Sequence, residues 1–234
     1  MWGWLNFLDN ENNITIYEAP KTGGTTLRIW IAAKFTKKIS INGNPNGYFI
    51  GTTENLSLIM KNGYRNDYFK AFKTKKKICI LRPIVERFVS CYMDKIYYEN
   101  SWKLLNLQNG LDIDNFLSII ENKDILNIYK KYPTDDFLKS RTRKKILEYH
   151  FAPLTNIYGR NINYYKKIFT TNKMCSKGGL REYLEYIWKI KLPNIHSRNA
   201  KDRIKIKLNN EQISRIRKIY SIDIQNGYDI WFLN

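Results

Sequence analysis

The chain has 234 residues and a mass of 28.0 kDa, which is enough for one sizeable α/β domain and short for two. Its apolar runs are far shorter than a membrane span, and its first residues lack the basic segment of a signal peptide, so we expect a cytoplasmic protein. The formal charge of +19 favours anionic ligands.

That charge does not by itself indicate a nucleic-acid-binding protein. The basic residues are spread from Lys34 to Lys218, in a chain rich in Lys, Asn and Ile throughout, and they form no single patch. The dense run at residues 73–77 flanks a strand-like segment and is more typical of a solvated edge. We therefore expect no nucleic-acid partner.

The three cysteines, Cys79, Cys91 and Cys175, lack the spacing of metal ligands. Their odd number, and the apolar surroundings of two of them, predict reduced and mostly buried thiols. No metal site is expected.

Residues 14–28 predict a short strand, a glycine-rich loop and the first turn of a helix. Pro20 ends the strand because it has no N–H to donate. Gly23 and Gly24 leave room for a ligand near the backbone, and Thr25 or Thr26 can cap the helix.

This turn is suited to an anion such as a phosphate. It directs the backbone N–H groups from Thr22 to Thr26 and the positive end of a helix toward one point, and Lys21 adds a full positive charge. An ordinary βα turn can contain the same glycines, but Pro-Lys at the end of an apolar strand favours the anion site. A Walker P-loop places its lysine after the last glycine, whereas Lys21 precedes both glycines, so a Mg-ATP site is not supported.

Turn-forming residues then predict a loop over 40–47, followed by a short strand at 48–50 and a short helix at 55–61. Residues 77–81 form a continuous apolar run that is typical of a buried parallel strand. The next helix is predicted over 85–98, because apolar side chains recur there at helical spacing.

Residues 101–143 predict a helical insertion that shapes a pocket, with residues 112–114 capping a helix that runs through Ile120. A strand at 166–169, a helix after Gly179 and a helix over 210–220 complete the pattern. Strands that alternate with helices predict a single α/β domain over 1–234, with a mostly parallel central sheet flanked by helices.

A second candidate ligand element follows the strand at 77–81. Arg82 stands at the carboxyl end of that strand, where open α/β sheets bind ligands. Ser90 lies on the polar side of the next helix, with Arg87 three residues earlier on the same face. A guanidinium fork and a hydroxyl together suit a phosphate monoester, although for Arg87 a surface ion pair is an equal alternative.

The two elements resemble those of sulfotransferases that use 3′-phosphoadenosine 5′-phosphosulfate (PAPS), closest to the carbohydrate-type and related bacterial members. Pro-Lys-Thr-Gly-Gly-Thr-Thr-Leu at 20–27 is similar to their 5′-phosphosulfate loop. Arg82 and the Val-Glu-Arg-Phe-Val-Ser segment at 85–90 are similar to their 3′-phosphate element, although Pro83-Ile84 stands where the family usually has Asp-Pro. The resemblance implies a P-loop-NTPase-like three-layer fold and a PAPS site formed by Lys21, Thr22, Gly23, Gly24, Thr25, Thr26, Arg82 and Ser90.

Weaker similarities cover other parts of the chain. His150-Phe-Ala-Pro153 resembles a His-x-x-Pro segment of several members, and residues 192–196 and 220–223 resemble their C-terminal landmarks. Thr52 stands where many relatives carry a histidine.

The resemblance implies in-line transfer of a sulfuryl group to a hydroxyl or amine of a small-molecule or glycan acceptor, leaving 3′,5′-adenosine bisphosphate. Lys21 is expected to stabilise the charge that grows on the bridging oxygen as its bond to sulfur breaks. A general base must accept the acceptor's proton. His150 and Glu54 are the candidates, with Glu86 as a further rival, and a purely structural histidine is the competing interpretation of His150.

Two other functions remain open at this point. One is a kinase-like or NTPase-like nucleotide-binding protein with an atypical phosphate loop. The other is a basic, non-catalytic protein that binds a polyanion. The sequence does not identify the acceptor, since the basic and tyrosine-rich composition runs through the whole chain.

Overall fold

A computed structural model describes residues 6–36, 74–105, 107–108, 112–122, 147–194 and 206–229. The chain divides into two compact units, Met1–Arg82 with Ile162–Ile204 and Pro83–Asn161 with Lys205–Asn234. The elements predicted between 40 and 61, together with Thr52 and Glu54, lie outside the described residues. The single domain over 1–234 stays a prediction.

The described part of the first unit contains a four-stranded sheet in the order β1-β2-β3-β4. β1 (Asn6–Asp9) pairs antiparallel with β2 (Ile14–Tyr17), whereas β2, β3 (Lys76–Leu81) and β4 (Lys167–Thr170) run parallel. The three predicted strands within these ranges are confirmed, and β1 is an element that the sequence pattern did not predict. The α/β class with a mostly parallel sheet is therefore confirmed.

The helices of the described residues are α1 (Gly24–Thr36), α2 (Ile84–Cys91), α3 (Ser101–Leu104), α4 (Ile113–Glu121), α5 (Leu154–Tyr158), α6 (Leu180–Trp188), α7 (Asn210–Ile219) and α8 (Ser221–Gln225). Residues 147–151 are also helical, and short 3₁₀ turns occur at Ile162–Tyr164 and Thr171–Lys173. Within these described ranges, no helix combines the length and the apolar character needed to cross a membrane.

The core of the first unit lies between the sheet and the buried faces of α1 and α6. Ile14 and Ile16 of β2 and Leu27 and Trp30 of α1 are fully buried, which explains the apolar spacing that predicted both elements. The buried Asp9 at the end of β1 accepts a hydrogen bond of 2.7 Å from the Trp188 indole of α6. The contacts of Asp9 thus tie the edge strand to α6.

The second unit contains α2 to α5, α7 and α8 around an aromatic core. Phe88 of α2 packs edge-on against Phe151, with ring centroids 5.6 Å apart, and lies near the buried Tyr220. The described part of the predicted insertion is helical, and the Asp112 side chain caps α4 by accepting from the Asn115 N–H, as predicted. Its pocket-shaping role stays a prediction.

The single helix predicted over 85–98 is wrong in its second half. α2 ends at Cys91 and continues as a π-helix over Tyr92–Tyr98. The N–H of Glu99 accordingly bonds to the Asp94 carbonyl, five residues back, at 3.2 Å. The wider turn places Tyr92, Met93 and Ile96 in the core. The spacing of these apolar residues in the sequence does not distinguish a π-helix from an α-helix.

Candidate functional site

The loop between β2 and α1 is closed by its own side chains and by two left-handed residues. Lys21 has φ of 66° and Gly23 has φ of 94°. The Thr22 hydroxyl donates to the Ala19 carbonyl at 2.8 Å and accepts from the Ala19 N–H at 3.0 Å, and the Thr22 N–H also bonds to that carbonyl. Thr22 is fully buried, so the role of its polar atoms here is to close the turn.

The beginning of α1 supplies the backbone donors of the candidate site. The predicted caps are wrong, because the helix begins at Gly24 and both Thr25 and Thr26 lie within its first turn. The first helical bond runs from the Leu27 N–H to the Gly23 carbonyl, at 3.1 Å. The N–H groups of Gly24, Thr25 and Thr26 therefore have no acceptor within the helix, as at the start of any α-helix, and such groups are able to bind an anion.

Arg82 is brought to this loop by the parallel pairing of β2 and β3. Tyr17 at the end of β2 stands opposite Cys79, two residues before the last residue of β3. Arg82 comes directly after β3, and its Nη1 lies 3.5 Å from the Lys21 carbonyl oxygen. The Arg82 side chain and the Lys21 main chain, which belong to two separate sequence motifs, thus lie together at one edge of the sheet, as the rule for open α/β sheets predicts.

The end of β4 lies beside the end of β3, which is followed by Arg82. Thr170 stands opposite Leu81 of β3, and Met174 packs against Gly23. Thr170 and Thr171 each have a buried hydroxyl oxygen that forms no hydrogen bond with the described residues. These polar atoms at the carboxyl edge of β4 were not predicted, because their position depends on the register of a strand 150 residues along from β2 in the chain.

A buried acidic residue, Glu18, is the other feature that sequence reasoning missed. Its side chain is 2% exposed, and one carboxylate oxygen lies 2.6 Å from the Arg28 guanidinium of α1. The second oxygen is buried without a hydrogen-bond partner among the described residues. The signal was present in the sequence as a lone acidic residue between the apolar strand and Pro20.

The remaining site candidates belong to the second unit. Ser90 is half-buried on α2, and Arg87 is buried and donates to the His150 carbonyl at 3.0 Å. The surface ion pair considered for Arg87 is therefore wrong, since this residue is only 2% exposed. His150 also accepts from the Cys91 thiol through its carbonyl, and its ring packs edge-on to Tyr149 at 5.8 Å.

Two further observations limit where chemistry can occur in the first unit. Cys79 is fully buried in β3, and burial raises the pKa of its thiol far above the ordinary value, so it is a core residue and not a nucleophile. An open groove of about 560 Å³ on α6 contains none of the predicted site residues and is lined by side chains of both charges: Arg181, Glu182, Glu185, Tyr186, Lys189, Ile190 and Lys191. Neither feature competes with the region around Lys21 and Arg82.

Comparisons of the chain with protein-family models, curated proteins and solved structures gave no match. The site is therefore interpreted from its own chemistry. Within the first unit, the Arg82 guanidinium, the Lys21 main chain and the start of α1 lie together at the carboxyl ends of parallel strands. Chemically, an arrangement of this kind can bind an anionic group and stabilise negative charge that develops on it.

Proposed function

We propose that the protein is a PAPS-dependent sulfotransferase, which transfers a sulfuryl group to a hydroxyl or amine of a small-molecule or glycan acceptor. The observation that carries the proposal is the 3.5 Å approach of Arg82 to the Lys21 carbonyl, beside the first turn of α1. Two motifs that resemble the two phosphate elements of one co-substrate begin at this edge of the sheet. The proposal includes the P-loop-NTPase-like three-layer fold that the resemblance implies.

The roles of the residues follow from their chemistry and from that resemblance. The N–H groups of Gly24, Thr25 and Thr26 bind the 5′-phosphosulfate, and Lys21 neutralises charge on the bridging oxygen of the leaving phosphate. The resemblance assigns Arg82 and Ser90 to the 3′-phosphate. In-line displacement needs positioning and charge stabilisation more than covalent chemistry, which suits a site made of backbone donors and cations.

The general base has two candidates, His150 and Glu54. The main-chain carbonyl of His150 accepts hydrogen bonds from Arg87 and Cys91. These bonds hold the backbone of His150 in place and leave the role of its imidazole open. Glu54 is the rival. A loss of transfer with unchanged co-substrate binding, in His150→Ala or in Glu54→Gln, identifies the base.

Calorimetry with 3′,5′-adenosine bisphosphate tests the proposal directly. We expect saturable one-to-one binding of the bisphosphate without metal, weak binding of ATP with magnesium, and no strongly salt-dependent binding of a polyanion. Tighter binding of Mg-ATP supports the kinase-like alternative, and polyanion binding alone supports the non-catalytic one. Absence of bisphosphate binding contradicts the proposal.

Two substitutions separate the roles of the cations. Lys21→Ala should lower the transfer rate by about 10²- to 10³-fold and leave much of the bisphosphate affinity, because the lysine acts at the breaking bond. Arg82→Ala should instead weaken bisphosphate binding itself. Lys75→Ala is a matched control, since Lys75 is exposed and precedes the amino end of β3, at the opposite edge of the sheet. Acceptors are then identified by screening with labelled PAPS.

A further inference from the structure

Glu18 occupies an unusual place for a carboxylate. It directly follows β2 and is 2% exposed, so its charge has been removed from water. Burial of a carboxylate is unfavourable unless the group is paired and hydrogen-bonded. Here Arg28 pairs with one oxygen at 2.6 Å, and the other oxygen has no hydrogen-bond partner among the described residues.

The unpaired oxygen faces the first residue of α1. A β-carbon added to Gly24 would overlap this Oε2 and would lie 2.9 Å from the Glu18 Cδ and 3.0 Å from Oε1. Glu18 therefore packs directly against the Gly24 backbone, and a side chain at position 24 would displace the Glu18 carboxylate. Arg28 lies four residues further along α1, on the same side of the helix as Gly24.

These contacts connect the two ends of the candidate anion loop. Glu18 is the residue at which the loop leaves β2, and Gly24 and Arg28 belong to the first turns of the helix that the loop enters. One carboxylate thus contacts Gly24 and holds Arg28. An ion pair of this kind adds little net stability compared with apolar packing, but it fixes geometry, because moving Arg28 away would leave the charge of the buried Glu18 unpaired.

We propose that Glu18 and Arg28 form a positioning pair, which holds the first turn of α1 in the orientation that binds the anionic group. The proposal rests on the proposed function, since the anion is taken to be the 5′-phosphosulfate. Glu18 is not assigned as the general base, because its carboxylate is buried and held by Arg28. The pair acts through Gly24, Thr25 and Thr26, whose N–H groups must point at the ligand within a narrow range of directions.

The test combines ligand affinity with amide exchange in a double-mutant cycle. Glu18→Gln, Arg28→Met and the double variant are compared with the unaltered protein for binding of 3′,5′-adenosine bisphosphate by calorimetry. We expect each single variant to bind about 10- to 100-fold more weakly, since misdirected N–H groups lose hydrogen bonds to the charged ligand, and one such bond contributes about this much affinity. The double variant should bind no more weakly than either single variant, because the two residues act as one unit.

Hydrogen exchange provides a measurement that needs no ligand. Amide exchange at residues 27–30 of the ligand-free protein, where the helical hydrogen bonds of α1 begin, should become faster in all three variants, whereas exchange in β3 should not change. Lys34→Met is the matched control, because Lys34 pairs with the buried Asp9 at 2.7 Å near the other end of α1. This control should lower the melting temperature and leave both the affinity and the exchange at residues 27–30 unchanged.

Arg28→Lys keeps the test decisive if Glu18→Gln does not fold. The Arg28 side chain is 32% exposed, so lysine can be accommodated, but it lacks the planar guanidinium and should give an intermediate loss of affinity. Wild-type affinity and wild-type exchange in folded Glu18→Gln or Arg28→Lys overturn the positioning role. If the unaltered protein does not bind the bisphosphate, the proposed function fails, and the exchange data still decide whether the pair fixes the loop.

Discussion

Gly23 is the position at which the candidate anion loop should tolerate a side chain least. Its φ of 94° lies in the left-handed region, which L-residues adopt only with strain. A β-carbon added there would overlap the Met174 Sδ and would lie 3.0 Å from the Met174 Cε. Met174 is 4% exposed and belongs to the core of the first unit. Gly23→Ala therefore meets both a backbone and a packing penalty.

The two penalties can be given separate magnitudes. A left-handed backbone costs an L-residue about 1–2 kcal/mol. Overpacking a buried site costs a further 1–3 kcal/mol or so, and the flexible thioether of methionine reduces that value when it can move aside. We expect Gly23→Ala to lower the free energy of unfolding by about 2–5 kcal/mol. It should also weaken bisphosphate binding, because relief of the overlap displaces the loop away from Met174.

Urea denaturation of three variants separates the penalties. Gly178 has φ of 74° and no atom within 4 Å of an added β-carbon, so Gly178→Ala should show the backbone penalty alone, about 1–2 kcal/mol. Met174→Ala should relieve the overlap, so the double variant Gly23→Ala/Met174→Ala should cost about 1–3 kcal/mol less than the sum of the single variants. If Gly23→Ala costs no more than Gly178→Ala, the packing argument is wrong.

Two further predictions concern the second unit. Asp223→Asn should lower the free energy of unfolding by about 3 kcal/mol, because the buried carboxylate accepts from the Leu154 N–H, the Thr155 N–H and the Thr155 hydroxyl, each at 2.7 Å. Thr155→Val removes only one of the three donors and should lower the free energy of unfolding by about 1 kcal/mol. Urea denaturation measures both variants, and equal losses of stability would contradict this account. Burial raises the pKa of Asp229 in the folded protein above its ordinary value, and a backbone hydrogen bond with Ile84 partly opposes this effect. The folded protein therefore holds this proton more tightly than the unfolded chain does. The resulting stabilisation is present below the ordinary carboxyl pKa and is lost as the pH rises through the folded-state pKa. Asp229→Asn should therefore be more stable than the unaltered protein at about pH 7 and equal to it at about pH 3, and a denaturation midpoint with no such pH dependence would refute the assignment.

Local patterns were sufficient for most of the elements that carry the candidate site. The apolar run of β3, the spacing in α1 and the Asp112 cap of α4 each depend on residues within a few positions of one another. Such features are governed by backbone sterics and by the period of side-chain burial, which can be read directly from the sequence. The same local view failed at the start of α1, where Gly23 adopts a positive φ and the helix begins before either threonine.

Side chains that lie far apart in the sequence were placed only by the tertiary structure. Apolar spacing in α2 and the segment after it fits both an α-helix and a π-helix, and packing of Tyr92, Met93 and Ile96 accompanies the wider turn. Asp223 caps α5 from 69 residues away, a partnership that no local pattern encodes. Bringing such distant residues together lowers the conformational entropy of the chain, and only the contacts of the complete core offset that loss.

The sequence by itself determined that residues 20–27 connect a strand to a helix, because glycines and apolar flanks fix that turn locally, and it predicted that this loop binds an anion. The tertiary structure decided which groups surround the loop. The parallel register of β2, β3 and β4 brought Arg82 to the Lys21 carbonyl and Thr170 beside the end of β3. It also buried Glu18 against Gly24, a contact that depends on where the helix docks on the sheet and hence on the packing of the whole unit.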